Sequence, residues 1–451
     1  MNFELKNREF YKKTLCLMAP VILQQLITIG VNFCDNIMIG SFGETQIAAA
    51  SFGNQFYSFF QFICMGLGSG AIVMSSQFYG RRELGSLRLT AAIALRVTAV
   101  LCAVFTAAAV AWPEVILRIY THESAVVAAG APYMRLIGLT FLLAGISSTA
   151  TYLLRSVGCV SIPLIGSSAA FFLNMFFNWV FIFGRLGAPR LELVGAAVGT
   201  VIARAFEFLF VFGYFTLRDR RFGFRMRHFA LSGKPLRAQY VRFSVPVLIS
   251  DTLLGLSLSL SSVIIGHVGA AMSAAAAIVN SAVQVTTVLN MGMAGAAAVT
   301  IGNTVGSGDL ARARREGNTY VLLSVLFGLA VIVPLLLLEK PYLSLYSIEE
   351  ETAAVAHGML LCNCIMLPGQ TLAYVVSKGI LRGGGDTRFL LLADSSLVWF
   401  VSLPLGALAS FVWGLSPFWI YFFLRFEYPA KGIVCLIRFL TGKWVKEVKS
   451  S

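Results

Sequence analysis

The sequence predicts an all-α integral membrane protein of twelve transmembrane helices. They form two six-helix lobes related by a pseudo-two-fold axis along the membrane normal. Three observations carry this: an apolar composition, apolar runs of membrane-spanning length, and an internal duplication that divides the runs six and six.

The 451-residue chain is 57% hydrophobic and 12% charged, with a mean hydropathy of +0.79. Composition of this kind belongs to polytopic membrane proteins and not to soluble domains. The net charge of +14 is scattered in short clusters between apolar runs, which is topological information and argues against a nucleic-acid partner. The basic head (Lys6, Arg8, Lys12, Lys13) runs into a full-length span with no small-residue cleavage site, so no cleaved signal is expected. The eight cysteines mostly lie in apolar runs and form no CxxC pair, so packing is their expected role and no bound metal or cofactor is expected.

Apolar runs of about twenty residues are expected at 15–40, 46–78, 88–112, 124–154, 160–184, 193–217, 242–266, 271–302, 316–338, 352–381, 388–413 and 416–440. Roughly 25 of the 35 basic residues fall at the ends and in alternate connections, against Arg118, Arg185, Arg190 and Lys340 in the opposite ones. That bias predicts a multi-pass protein of the plasma membrane, in bacteria the inner membrane, with both termini cytoplasmic. The longest connection holds eight basic residues between Arg218 and Arg242. It reads as an amphipathic or disordered linker at anionic headgroups, with a ligand site there as the alternative.

The linker separates two copies of one pattern. Pro20 in Ala19-Pro20-Val21 matches Pro246 in Val245-Pro246-Val247, and Gly40 matches Gly266, each at an offset of 226. Tyr120-Thr121 matches Tyr346-Ser347 at the same offset, and Leu154-Arg155 matches Leu381-Arg382 at 227. The register marks a duplication. Six spans per copy make the repeats parallel, with the substrate path expected between them. The expected domains are 1–217, an N-terminal lobe; 218–241, a basic cytoplasmic linker; and 242–451, a C-terminal lobe.

Asp35 is the residue that most needs explaining. It sits inside the first span, ~7–8 Å below the far surface by helical rise. An acid there costs on the order of 2.5–3.5 kcal/mol on insertion scales. Asn174 and Asn178, four apart in the fifth span, share one helix face at depths of ~15 and ~9 Å, and Thr200 in the sixth lies ~10 Å deep. A carboxylate, two amides and a hydroxyl form an oxygen set able to hold a proton or a sodium ion. Interhelical hydrogen bonding alone is the alternative. The repeat offset takes Asp35 to Ser261, so the second copy has no equivalent acid.

Other charges fall inside spans. Asp251, Asp394 and Lys378 lie ~13, ~9 and ~5 Å from the inner edge. A snorkelling Lys378 with two acids near the headgroups is the default expectation, and an inner-gate network the alternative. Arg204 and Glu207 form an i,i+3 pair whose default is local compensation, with a cleft-lining role as the sharper option. Arg425 and Glu427 are read in the same way. His267 and His357 have no ligand partners at helical spacing.

With these residues in view, the chain resembles the multidrug and toxic compound extrusion (MATE) family. The resemblance rests on APVILQQLITIGVNFCDNIMIGSFG (Ala19 to Gly43), the LRSVG and LRGGGDTR turns, NMFFNWVFIFG (Asn174 to Gly184) and GAAVGT (Gly195 to Thr200). It spans essentially the whole chain and implies export of amphipathic, often cationic compounds against inward proton or sodium flow. It also implies that Asp35, Asn174 and Thr200 match an N-terminal-lobe ion site. Two departures are visible: many members carry an aspartate where this chain has Asn178, and acids found in the seventh and tenth spans of some members fall at Leu254 and Thr371 here.

The function expected is therefore an ion-coupled antiporter for multidrug efflux by alternating access, with the proton favoured because one carboxylate stands nearly alone. Such a protein works on small organic compounds within membrane lipid, and a monomer is the expected unit. A lipid-linked or saccharide flippase of related fold is the alternative. No convergent nucleophile–base set points to an enzyme.

Overall fold

The structure, a computed structural model, describes residues 3–4, 7–40, 43–346 and 348–448, the side chains at 32, 36, 37, 40 and 44 excepted. Lys6, Ser41, Phe42 and Ser347, named above, lie outside the described residues.

No strand occurs among the described residues, and helices follow one another through short turns. They are α1 (Arg8–Gly40), α2 (Glu44–Gly80), α3 (Leu84–Ala111), the short α4 (Pro113–Arg118), α5 (Ser124–Ser156), α6 (Ser161–Phe183) and α7 (Glu192–Gly213). The second half repeats the plan with α8 (Lys234–Val268), α9 (Ala270–Gly306), α10 (Leu310–Leu343) and α11 (Glu350–Tyr374). It closes with α12 (Thr387–Leu397), α13 (Leu403–Phe411), α14 (Pro417–Arg425) and α15 (Glu427–Leu440).

Eleven helical stretches among the described residues are long and apolar enough to cross a membrane. The expected twelfth, 416–440, is present as helix but broken at Phe426. Pro429 explains the break: its ring excludes the carbonyl of Arg425 and it offers no N–H to continue the ladder. Several spans, α2, α5 and α9 among them, exceed the ~30 Å hydrocarbon thickness. The 37 residues of α2 and of α9 each extend about 55 Å.

Three segments widen into π-helix: Tyr214–Arg218 after α7, Val375–Leu381 after α11, and Val398–Ser402 between α12 and α13. The last precedes Pro404, whose missing N–H removes an ordinary i→i−4 bond from that turn. The middle one carries Lys378.

The contacts divide the described residues into two compact units, one within 23–244 and the other combining those up to 22 with those of 245–448. The chain passes from one unit to the other at Ile22/Leu23 within α1 and at Ser244/Val245 within α8. These crossings lie two residues after Pro20 and two before Pro246, the proline pair of the duplication (246 − 20 = 226).

The unit containing 23–244 is centred on α2, α3, α5 and α7. Phe60 stacks on Phe141 at 4.8 Å, and both are fully buried. Gly68 and Gly70 admit close neighbours: a Cβ at Gly68 would lie 2.1 Å from the Tyr152 ring, and one at Gly70 1.9 Å from Ser244 Oγ. Without a side chain, these glycines let neighbouring helices pack closely. The unit containing 245–448 has two apolar clusters, one around Met272, Met359 and Tyr421 and one around Tyr320, Ile380 and Phe439.

Candidate functional site

The residues picked out around Asp35 meet in the unit containing 23–244. Asn178 Nδ2 donates to Asp35 Oδ1 at 2.6 Å and to Asn174 Oδ1 at 3.3 Å. Asn174 Nδ2 donates to Thr200 Oγ1 at 3.2 Å, and the Thr200 hydroxyl donates to the Ala196 carbonyl at 2.9 Å. A continuous chain of polar contacts therefore runs from the α1 carboxylate through α6 to the α7 backbone. Asn174 and Asn178 are 3% and 0% exposed, so this polarity is withdrawn from solvent and depends on its internal partners.

The local sequence explains the geometry. The i,i+4 spacing of the two asparagines puts both amides on one face of α6. The small residues of GAAVGT let α7 lie against that face: a Cβ at Gly199 would sit 2.2 Å from Asn178 Oδ1, and one at Gly195 2.5 Å from the Phe181 carbonyl. Asn178 Oδ1 itself accepts no hydrogen bond among the described residues.

One helical turn beyond Thr200, Arg204 Nη1 pairs with Glu207 Oε2 at 2.6 Å, the expected local pair. Its guanidinium also lies over the Tyr57 ring at 6.0 Å and within electrostatic reach of Asp35. Tyr57 in turn accepts from Gln61 at 2.6 Å. Tyr57 and Gly199 are site residues that sequence reasoning missed. A lone tyrosine in a Phe-rich span carries no signal of its own, whereas Gly199, one position before Thr200, lay inside the GAAVGT motif.

In the unit containing 245–448 the default expectation for the inner charges is overturned. Lys378 does not snorkel: its side chain is 11% exposed and Nζ lies 3.3 Å from Asp251 Oδ1. Arg382, read as a basic turn residue, is buried with Nη2 3.6 Å from the same oxygen. Asp394 takes Lys431 Nζ at 3.0 Å on Oδ1 and the Ser250 hydroxyl at 2.7 Å on Oδ2. Lys378 and Lys431 approach the Tyr374 ring at 5.4 and 6.0 Å, and Tyr374 stacks on Tyr428. Two acids and three cations thus form one buried network across α8, the 375–381 π-segment, α12 and α15. The missed member, Lys431, had a readable signal, because a lysine mid-span demands a partner as Lys378 does.

Other expectations resolve individually. Arg425 donates to Asn280 at 3.1 Å and lies over the rings of Tyr421 and Tyr428. Glu427 is buried with Oε2 accepting no hydrogen bond among the described residues. His357 pairs with the buried Glu339, a partner on the neighbouring helix, while His267 bonds the Val263 carbonyl. The Thr371 hydroxyl is spent on the Leu367 carbonyl at 3.0 Å, and Leu254 packs with the apolar cluster around Met272.

The family model described as MatE matches residues 20–180 and 246–408. NorM of Neisseria meningitidis serogroup B, a protein named for multidrug resistance, is 23% identical over 96% of this chain and 95% of its own. NorM of Pseudomonas aeruginosa, named likewise, is 25% identical over 90% of this chain and 85% of its own. Among solved structures, a mutant of the Vibrio cholerae MATE transporter VcmN has a TM-score of 0.88 at 16% identity, covering 96% of this chain and 97% of that one.

Proposed function

This chain belongs to the MatE family, and on that premise we propose that it is a secondary active exporter of amphipathic, often cationic compounds, coupled through Asp35. The relatives named for multidrug resistance support the substrate class. The single observation that carries the coupling is the chain Asp35–Asn178–Asn174–Thr200. A carboxylate with one amide donor, and with no buried cation hydrogen-bonded to it among the described residues, can exchange its charge for a proton. Each exchange changes the acceptor that Asn178 meets and is transmitted to α6 and α7.

The proton is the favoured coupling ion and sodium the alternative. Sodium needs a shell of oxygens, whereas Asn178 presents its N–H to Asp35 and leaves its oxygen aside. The nearby Arg204 also opposes a second cation. Asn178 contributes no second negative charge.

Alternating access, a monomeric working unit, and residence in the plasma membrane with cytoplasmic termini complete the reading. The distribution of basic residues supports that orientation. Reconstitution in proteoliposomes tests the coupling ion: a proton gradient alone is expected to drive substrate accumulation, and a sodium gradient alone is not. Transport driven only by sodium would contradict the proton assignment while leaving the export reading intact.

A further inference from the structure

The connection between α7 and α8 is folded, not loose. The π-turn Tyr214–Arg218 leads to Asp219, whose buried carboxylate accepts the Phe222 N–H at 2.8 Å. Arg225 Nη1 donates to the carbonyls of Phe224 at 2.9 Å, Thr216 at 3.0 Å and Asp219 at 3.3 Å. Its backbone N–H donates to His228 Nδ1 at 2.8 Å. The rings of Phe215, Phe222 and Phe224 are fully buried together, with centroids 5.2–5.3 Å apart from Phe215.

This folded segment is fastened lengthwise to α3. Arg88 Nε donates to the Phe222 carbonyl at 3.3 Å, and Arg96 Nη2 donates to the Leu231 carbonyl. Arg96 Nε also donates to the Ala92 carbonyl of its own helix, so its guanidinium reaches back one turn, and the segment follows α3 from Arg88 to about Ala92, roughly 6 Å, before turning back at Gly233 against Leu89. A hydrocarbon core of ~30 Å corresponds to about twenty helical residues. Counted back from Ala111, beside the exposed Trp112, it ends near Ala91, between the two arginines that hold the segment. The segment thus straddles the boundary between hydrocarbon and headgroups.

Its outer face has the composition such a boundary requires. Arg218, Arg220, Arg221, Arg227, Lys234, Arg237 and Arg242 are exposed, while Asp219, the sole acid of 218–242, is turned inward. Met226 and Leu231 are exposed among them at 59% and 38%. Basic residues flanking a few exposed apolar side chains at the level of the acyl boundary match anionic lipid and not bulk water.

We propose that residues 218–242 form a folded docking surface for anionic phospholipid. Met226 and Leu231 enter the acyl boundary, and the exposed arginines and lysines hold headgroup phosphates. The inference is independent of the export reading, since it concerns lipid and not substrate.

Hydrogen exchange of residues 222–233, followed by mass spectrometry on the full chain in nanodiscs, tests it. Adding phosphatidylglycerol to phosphatidylcholine discs is expected to slow exchange there several-fold. The quadruple substitution Arg220→Gln, Arg227→Gln, Lys234→Gln, Arg237→Gln should abolish the slowing, while the same positions changed to the opposite basic residue should retain it. Equal exchange in both lipids, or equal slowing in the neutral variant, would overturn the proposal. So would slowing that requires an added acidic cytosolic protein in place of phosphatidylglycerol.

Discussion

Asn178 Nδ2 lies 2.6 Å from Asp35 Oδ1, joining α6 to α1 across 143 positions of sequence. The bond is charge-assisted when Asp35 is ionised, and bonds of that kind contribute about 1.5–3 kcal/mol. Asn178→Ala is expected to lower coupled efflux by roughly tenfold or more on this basis. Asn178→Asp adds a second anionic oxygen donor and is expected to bring sodium-dependent thermal stabilisation that the native protein lacks. Native efflux from the alanine variant would show that the bond is only structural.

Gly199 gives a steric test of the same site. Gly199→Ala pushes a methyl group to within 2.2 Å of where Asn178 Oδ1 lies, so either α7 retreats or the asparagine turns away. Efflux should fall sharply while membrane expression is kept. Gly295→Ala, where a Cβ meets nothing within 4 Å, should be close to neutral. Similar behaviour of the two variants in efflux assays would remove the packing argument.

The inner network predicts a stability pattern. Lys431 and Asp394 have side chains 4% and 5% exposed. Removing one partner leaves the other charge buried, which costs about 3–5 kcal/mol, whereas removing both with apolar replacements costs little. Lys431→Met should therefore melt well below the native protein in detergent, and Lys431→Met with Asp394→Leu should recover most of the loss. Additive losses would show that the pair is not coupled.

The site's axial order was legible and its lateral order was not. Depth along a span is a one-dimensional count, so Asp35, Asn178 and Thr200 could be placed at one level, and the i,i+4 spacing aligned Asn174 with Asn178. Which helix faces which depends on rotation and tilt, and that hid Tyr57 and the Lys431–Asp394 pair. Arg382 was misread for a different reason. The glycines after it look like an exposed turn, but the π-segment before it carries its side chain back onto Asp251. The fold class itself was plain, because apolar run length and the 226-residue register are global properties that no local contact alters.

Protonation should loosen the connection between α7 and α8. Burial, then the charges of Arg88, Arg227 and Arg225, hold the His228 imidazole below its ordinary value, and Nδ1 must stay unprotonated to accept the Arg225 N–H. A histidine whose folded value is depressed adds stability above its unfolded value of about 6.5 and loses it as pH falls through the folded value. The protection of residues 222–233, their exchange measured against the intrinsic rate at each pH, should therefore fall on acidification below neutral pH. In His228→Ala it should be low already at neutral pH. An unchanged pH profile in that variant would assign the effect elsewhere.

The central claim is that Asp35 carries the coupling charge, and one measurement addresses it most directly: ethidium efflux from a hypersensitive host expressing Asp35→Asn, with Ser261→Ala at the repeat-equivalent position as control. Asp35→Asn keeps the shape of the side chain and removes its ability to exchange a proton. The account predicts loss of efflux at native membrane expression, with Ser261→Ala close to native. Native efflux from Asp35→Asn would contradict it.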